Sequence, residues 1–295
     1  MPPCSSGSGV RFSPAACRTI ALGLLACAAT LLAGCVTGSA NPPGTRAEAA
    51  RALDEALAGS HRPEANRARD AYRHPRETLL FFGLRPTSTV VELWPGDGWY
   101  TEVIAPVVNT RGRYYAAHYE PNPANSFISG ALQRFEARLK ARPDLYGATV
   151  VTAFGPAGAD IAPPGSADLV VSFRNLHNWM ARDFQGPALA TIYRALKPGG
   201  TFGIVEHRGN PAVTQDPKAA SGYVNEAYAI RMIESAGFQL VAKSELNANP
   251  RDTRDYPEGV WTLPPTYRLG DRDRARYAAI GESDRFTLRF EKPRN

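Results

Sequence analysis

A short apolar strand, a glycine-containing turn and the start of a helix follow one another in residues 90–101, which read VVELWPGDGWYT. Residues 90–93 are apolar except for Glu92, and such a run bounded by a turn is consistent with a strand buried on both faces. Gly96 and Gly98 permit a tight turn and let a ligand approach the backbone closely. The helix start offers unpaired N–H groups to an anion. This stretch therefore predicts a ligand-binding turn at the carboxyl end of a buried strand.

Apolar runs and helical stretches alternate on both sides of this turn. We expect strands at 90–93, 114–119, 149–153, 169–173, 202–206, 238–242 and 286–290, and helices at 101–108, 126–141, 183–196 and 225–236. Interleaving of this kind predicts a Rossmann-like α/β fold, with a seven-stranded, mostly parallel sheet and helices on both faces. In such sheets ligands bind at the carboxyl ends of the strands, near the point where the strand order reverses.

Helical sequence also precedes the first strand. Residues 46–58, 64–72 and 76–82 are expected to be helical, with Pro75 in the first turn of the last helix and Gly83 at its end. They form an N-terminal helical extension that caps the sheet. Residues 247–284 are loop-like and are expected to wrap around the domain. The predicted division is therefore N-terminal helices over 46–85 and an α/β domain over 86–295.

An apolar run at residues 20–33 follows Arg11 and Arg18. It is too short to span a bilayer with ease and is typical of the core of a signal peptide. The run ends in LAGC, residues 32–35, which resembles the lipobox of bacterial lipoproteins. This resemblance implies a signal peptide over 1–34, lipid attachment at Cys35 and a tether over 35–45. The alternative is an ordinary signal peptide, or an uncleaved anchor, with an accidental cysteine.

A lipid on Cys35 would anchor the protein to a membrane of the cell envelope, facing the periplasm. In lipoproteins an aspartate directly after the cysteine retains the protein at the inner membrane. Residue 36 is a valine, so the outer membrane is favoured over the inner one.

Charge and cysteine usage narrow the possible functions. The 295 residues carry a net charge of +6, which includes Arg11 and Arg18, and no block of lysines or arginines is present. We therefore expect no nucleic-acid binding. All cysteines lie within the first 35 residues. The domain that follows can form neither a disulfide within itself nor a thiolate metal site, and it has no cysteine nucleophile.

The turn after the first strand resembles the first motif of the class I S-adenosylmethionine-dependent methyltransferases, in which an acid and a glycine-rich turn line the aminoacyl part of the cofactor. The resemblance extends to LKPGGTF at 196–202 and SAGF at 235–238, which have the order and spacing of that fold. It implies S-adenosylmethionine as the cofactor. The implied cofactor-binding residues in the turn are Glu92, Pro95, Gly96 and Gly98.

A narrower resemblance is carried by FRNLHNW at 173–179, GVWTLPP at 259–265 and GESDR at 281–285. These segments are similar to a group of predicted bacterial methyltransferases that often carry export signals. The similarity implies a methyltransferase activity by membership of the fold alone.

Three positions depart from the usual cofactor motifs. Trp94 replaces the first glycine of the turn, and Phe154 stands where an adenine-contacting acid is often found. His118 takes the place of the acid that binds both ribose hydroxyls, although one imidazole cannot accept from two hydroxyls. Glu120 lies two residues on and is either the missing carboxylate or a solvated loop acid. We predict that His118 and Glu120 contact the cofactor.

The segment LHNW at 176–179 is similar to the Leu-His-Asp-Trp segment of O-methyltransferases, in which the histidine is the general base. The resemblance implies that His177 is catalytic, and the alternative is that it caps a helix or packs under the sheet. Arg174 and Asn175 are expected to orient a substrate or to contact the cofactor carboxylate. His118, His177 and His207 all end strands, but they lack the short spacing of metal ligands, so no metal is expected.

Two functions remain open from the sequence. The first is methyl transfer from S-adenosylmethionine to a small molecule, with an oxygen atom as the candidate acceptor. The second is a non-catalytic or repurposed ligand-binding lipoprotein on a methyltransferase scaffold, because a fold does not fix a function.

Overall fold

The computed structural model describes residues 44–294. The predicted signal peptide, Cys35 and most of the predicted tether lie outside this range. Within it, no helix is both long enough and apolar enough to cross a membrane.

Seven strands form a single sheet. They are β1 (Thr89–Leu93), β2 (Arg113–Tyr119), β3 (Val150–Phe154), β4 (Ala167–Phe173), β5 (Leu196–His207), β6 (Gln239–Ser244) and β7 (Arg285–Glu291). Their order in the sheet is β3-β2-β1-β4-β5-β7-β6. β7 runs antiparallel to both of its neighbours, and the other pairs are parallel. The predicted seven-stranded, mostly parallel sheet is confirmed. The strand order reverses at β1, whose neighbours are β2 and β4.

Helices precede the sheet and cover both of its faces. They are α1 (Arg46–Ala58), α2 (Glu64–Arg67), α3 (Asp70–Arg73), α4 (Pro75–Phe82), α5 (Thr101–Val108), α6 (Ser126–Ala141), α7 (Pro143–Tyr146), α8 (Leu176–Ala181), α9 (Gln185–Ala195), α10 (Glu226–Ser235) and α11 (Arg274–Ile280). The strands separate two apolar cores, and alternate residues of β1 belong to different ones. Val90 packs with α1, α4 and α5, whereas Val91 and Leu93 pack on the side of α8, α9 and α10.

Several elements differ from the sequence-based prediction. The expected helix at 64–72 is two short helices, α2 and α3, because the N–H groups of Arg69 and Tyr72 bond to the carbonyl three residues back rather than four. α7 and α8 were not predicted. β5 begins at Leu196 rather than at 202, since the Pro-Gly-Gly segment pairs with the chain end through Gly199 N to Lys292 O at 2.7 Å.

The stretch predicted to be loop-like, residues 247–284, contains a short 3-10 helix (Gly259–Thr262) and α11. It also has an apolar cluster of its own, which includes Tyr256, Val260, Leu263 and Tyr277. This small core gives the segment a defined shape beside the carboxyl ends of β4 and β5, where residues 260, 261 and 264–266 line a cavity with His177 and His207.

Candidate functional site

The backbone after β1 forms an open turn. Trp94, Gly96 and Gly98 adopt left-handed conformations, with φ of 44°, 60° and 87°. A Cβ atom on Gly98 would lie 2.9 Å from Cδ of Arg138, whereas one on Gly96 would meet open space. Glycine at position 98 therefore suits both the left-handed backbone conformation and the close approach of the Arg138 side chain. Pro95 and Gly96 face a cavity of about 220 Å³, which we call the turn cavity.

Glu92 lies at the carboxyl end of β1 and lines the turn cavity. Its Oε2 accepts hydrogen bonds from the Thr101 hydroxyl at 2.9 Å and from the Tyr114 hydroxyl. Burial raises the pKa of Glu92 to about 7, although both hydrogen bonds oppose this shift. Near neutral pH the carboxyl group is therefore close to the midpoint of its titration.

Trp94 forms a wall shared by two cavities. Its indole Nε1 donates to the Phe154 carbonyl at 2.8 Å, and its ring stacks on Phe184 at a centroid distance of 6.1 Å. Trp94 and Tyr119 line the turn cavity and also a second cavity of about 350 Å³, which we call the aromatic cavity. The indole packs into an aromatic cluster and leaves open space on each side.

Glu120 directly follows β2 and lines the aromatic cavity. Its Oε1 accepts a hydrogen bond from Ala157 N at 2.9 Å. The carboxylate lies against Gly155, where an added Cβ atom would come within 2.6 Å of Oε2. A side chain at residue 155 would therefore displace the Glu120 carboxylate from this position.

His118 lies beneath the turn and lines neither of these cavities. Its Nδ1 accepts from Tyr119 N at 2.8 Å, so the proton is on Nε2, which donates to the Gly96 carbonyl at 3.0 Å. Burial lowers its pKa and so favours the neutral form. The structure gives His118 a role in holding the turn, and of the two residues predicted at the end of β2 only Glu120 faces a cavity.

Arg174 and Asn175 follow β4 and meet the end of β1. The Asn175 side-chain amide donates to the Leu93 carbonyl at 2.8 Å, which ties β4 to β1 beside the turn cavity. Arg174 has a left-handed φ of 61°, and its backbone N–H donates to Val205 O at 2.7 Å. Arg174 lines the turn cavity and also a third cavity of about 290 Å³.

We call this third space the arginine cavity, because Arg69, Arg73, Arg174 and Arg285 line it. Glu282 lies among these side chains. It accepts hydrogen bonds from Nε of Arg69 at 2.6 Å, from Nε of Arg73 at 3.4 Å and from Arg285. Burial would raise the pKa of Glu282, but the three arginines together hold it well below its usual value.

His177 faces the arginine cavity and forms a pair with Glu206, at the end of β5. The Asn178 side-chain amide donates to His177 Nε2 at 2.9 Å, so the histidine proton is on Nδ1. Nδ1 donates to Glu206 Oε1 at 3.0 Å. Glu206 is fully buried and fixes the orientation of the ring. The arrangement leaves an unprotonated nitrogen towards the cavity, as a general base requires.

His207 also faces the arginine cavity and contacts the Ser283 hydroxyl through Nδ1. Burial, together with His177 and the arginines, lowers its pKa well below the usual value. His177, Glu206 and His207 have donor atoms within 4.8 Å of one another and are the group in residues 44–294 that could hold a metal ion. Glu206, however, already accepts from His177 N, His177 Nδ1 and His207 N.

No protein-family model matches the sequence, and no curated protein sequence matches it. Solved structures do match the fold. A geranyl diphosphate C-methyltransferase from Streptomyces coelicolor A3(2) gives a TM-score of 0.55 at 13% identity, over 80% of this chain and 87% of that one. The cyclase SpnF gives 0.54 at 13% identity, over 86% and 97% of the two chains.

A third structure, phosphoethanolamine N-methyltransferase 2 of Haemonchus contortus in complex with S-adenosyl-L-methionine, gives a TM-score of 0.52 at 17% identity, over 83% of this chain and 57% of that one. The fold of this chain is therefore the class I methyltransferase fold. The same fold is shared by a protein described as a cyclase, so the activity must be argued from the site.

Sequence reasoning identified Arg174, but it did not identify Glu206 or the other arginines of the cluster as parts of the site. Glu206 could have been found, because it is an acid at the end of a predicted apolar strand. Arg69 and Arg73 gave no such signal, since they reach Glu282 across 213 and 209 residues of sequence.

Proposed function

We propose that this protein is an S-adenosylmethionine-dependent methyltransferase that acts on a small molecule, with transfer to an oxygen atom. One observation carries the proposal: Arg174 lines both the turn cavity and the arginine cavity, so a cofactor and an acceptor held in them would be neighbours. Positioning two reactants side by side is the largest part of what such a transfer needs.

The residues present fit the cofactor. Open space at Gly96 and the start of α5 suit the aminoacyl part in the turn cavity. Glu120 offers a carboxylate oxygen to ribose hydroxyls, and Phe154 offers an aromatic wall to the adenine in the aromatic cavity. Tyr119 and Trp94 would border the connection between the two parts.

The proposed step needs a base and an oriented acceptor. When bound, S-adenosylmethionine would supply an electrophilic methyl group to the acceptor oxygen, with the thioether as the leaving group. His177 Nε2 takes the hydroxyl proton, replacing its contact with Asn178. Glu206 stabilises the protonated ring through Nδ1. A base placed in this way contributes about 10²–10⁴-fold to a rate.

Titration calorimetry of the full-length protein in mild detergent with S-adenosylmethionine tests the cofactor assignment. We expect a micromolar Kd, and a millimolar or weaker one would count heavily against a transferase. His177→Ala should bind the cofactor unchanged and release no S-adenosylhomocysteine in the presence of an acceptor. His61→Ala is the matched control, because the His61 ring contacts the Glu102 carbonyl and lies outside the three cavities.

A second candidate, a ligand-binding protein without transferase activity, is favoured by the position of Trp94. Its indole borders both proposed parts of the cofactor site. If this wall separates the two cavities in solution, the same calorimetry will show no cofactor binding, while the arginine cavity remains a binding site.

We also propose that the chain is a lipoprotein of the cell envelope, with the lipid on Cys35. The support is the LAGC segment at 32–35. Cys35→Ser should release the protein from the membrane fraction. Cys27→Ser is the matched control, because cleavage before Cys35 would remove it from the mature chain. Membrane retention of the Cys35→Ser protein would contradict the lipid anchor.

A further inference from the structure

The arginine cavity holds more positive charge than its own acids balance. Arg69, Arg73, Arg174 and Arg285 line it, and Glu282 is the acid on its surface. Two further acids lie close by: Glu206 behind His177, and Glu92 on the side of Arg174 that faces the turn cavity. Even with all three acids ionised, the four guanidinium groups leave an excess of positive charge.

Within residues 44–294, two of these guanidinium groups also have a buried N–H donor without a hydrogen-bond partner. Nη1 of Arg174 and Nε of Arg285 are buried and make no hydrogen bond to any of residues 44–294. Arg285 as a whole is only 2% exposed. An unpaired buried donor on a charged group is costly, and an acceptor from outside the chain would remove that cost.

Burial and mutual repulsion disfavour the charged forms of two of these groups. Burial and the neighbouring Arg285 lower the pKa of Arg174 to about 10. Burial and then Arg174 lower the pKa of Arg73 well below its usual value. The neighbouring arginines therefore destabilise the charged forms of Arg174 and Arg73, and a bound anion would oppose this effect.

We propose that the arginine cavity binds the oxyanion of a small substrate, a carboxylate or a phosphate ester, through the guanidinium groups of Arg174, Arg285 and Arg73. Guanidinium N–H groups match the oxygen geometry of both anions. This inference rests on the proposed function only in treating the bound anion as part of the methyl acceptor.

The position of His177 in the same cavity extends the argument. With its oxyanion on the arginines, an acceptor could place a hydroxyl group at His177 Nε2, which the Asn178 amide now contacts. Trp261 lies edge-on to the His177 ring at a centroid distance of 6.0 Å and covers this part of the cavity. A volume of about 290 Å³ restricts the acceptor to a small molecule.

A cation is a poorer occupant of this space than an anion. The group His177, Glu206 and His207 has suitable donor atoms, but the Glu206 carboxylate is already occupied by three N–H donors. The excess of arginine charge in the cavity would repel a divalent ion.

Calorimetry with inorganic phosphate and with acetate, against chloride at equal ionic strength, tests the proposal on the full-length protein. We expect saturable binding of at least one of the two anions, and the stronger one identifies the preferred oxyanion. Arg174→Gln should weaken that binding at least tenfold. Arg194→Gln is the matched control, because Arg194 pairs with Asp160 at the surface and lies outside the cavity. Equal binding by the wild type and Arg174→Gln would overturn the proposal.

Further measurements distinguish this inference from a role of Arg174 in cofactor binding and from the proposed transferase. Anion binding should persist when S-adenosylhomocysteine saturates the protein, and mutual exclusion would instead assign Arg174 to the cofactor carboxylate and overturn the substrate inference. Cofactor binding without anion binding would refute only this inference, whereas anion binding without cofactor binding would refute only the proposed transferase. If Arg174→Gln does not fold, Arg69→Gln can replace it, because Arg69 lies at the partly exposed edge of the cluster. This variant should weaken anion binding by a smaller factor.

Discussion

Replacing Glu282 with glutamine should destabilise the protein strongly, because this carboxylate is the acid that contacts three arginines in the arginine cavity. The side chains of Glu282, Arg73 and Arg285 are each at most 4% exposed, whereas Arg69 is 25% exposed. Glutamine preserves the size of the side chain, so the change removes a charge and little packing.

The magnitude follows from the two buried pairs. Removing one partner of a buried ion pair costs about 3–5 kcal/mol, because the other charge stays buried without compensation. Hydrogen bonds to charged groups contribute about 1.5–3 kcal/mol each, and two of them give a similar sum. We discount the contact with Arg69 for screening by solvent. The expected loss for Glu282→Gln is about 3–5 kcal/mol of unfolding free energy.

Urea denaturation of the complete chain, followed by circular dichroism at pH 7, measures this loss as a change in midpoint at constant slope. Glu136→Gln is the matched control, since Glu136 forms an exposed pair with Lys140 and should change stability by less than about 0.5 kcal/mol. If Glu282→Gln also fell within about 0.5 kcal/mol of the wild type, the charge argument for the arginine cavity would be wrong.

The pH dependence of the unfolding free energy tests the same ion pairs independently. Because the folded-state pKa of Glu282 lies below the ordinary value of 4.5, its stabilising effect is fully present above that value. It is lost only as the pH falls through the folded-state pKa. The difference in stability between the wild type and Glu282→Gln should therefore be constant near neutral pH and shrink in acid. A difference that grows below pH 4.5 would have the wrong sign.

Three further predictions follow from other residues of the site. Glu206→Gln should convert His177 from the Nδ1–H form to a mixture of tautomers, visible in the nitrogen NMR shifts of the ring; an unchanged spectrum would show that Glu206 does not orient it. Arg174→Gly should be more stable than Arg174→Ala by about 1 kcal/mol in urea denaturation, because glycine accepts the left-handed φ of 61° without strain; equal stabilities would remove the strain argument. Burial raises the pKa of Glu92 from 4.5 to about 7, so the folded state retains the proton between these pH values. As the pH rises through this range, the wild type should lose about 3 kcal/mol of unfolding free energy relative to Glu92→Gln. Parallel stability curves for the two proteins would contradict this shift.

The sequence predicted the elements whose signal is local. The strand at 90–93 and the helix at 101–108 agree with β1 and α5, because a short apolar run, two glycines and a second, mostly apolar stretch of helix length each act over a few residues. β6 was placed at 238–242 but is Gln239–Ser244. It is an edge strand with alternating exposure and a register shift between Leu240 and Ala242, so it lacks a continuous apolar run to mark its ends.

The candidate site was predicted only where one segment carries it. His177 could be proposed from its own neighbours, and it does face a cavity. The positions of His118 and Glu120 depend on how the end of β2 turns, which two-residue periodicity did not resolve. The contact of Arg73 with Glu282 joins segments that only the folded chain brings together. Electrostatic sites built from distant segments have no local sequence signature.

Three energetically unfavourable features coincide at Arg174. It adopts a left-handed backbone conformation that is unfavourable for any side chain, and it holds a buried guanidinium N–H without a partner in residues 44–294. Its charge is repelled by Arg285, which contributes to the lowered pKa. A residue that served only the fold could avoid all three costs by being glycine. They coincide at the residue that borders both the turn cavity and the arginine cavity, so a ligand bound as proposed above would pair the free N–H group and offset the repulsion.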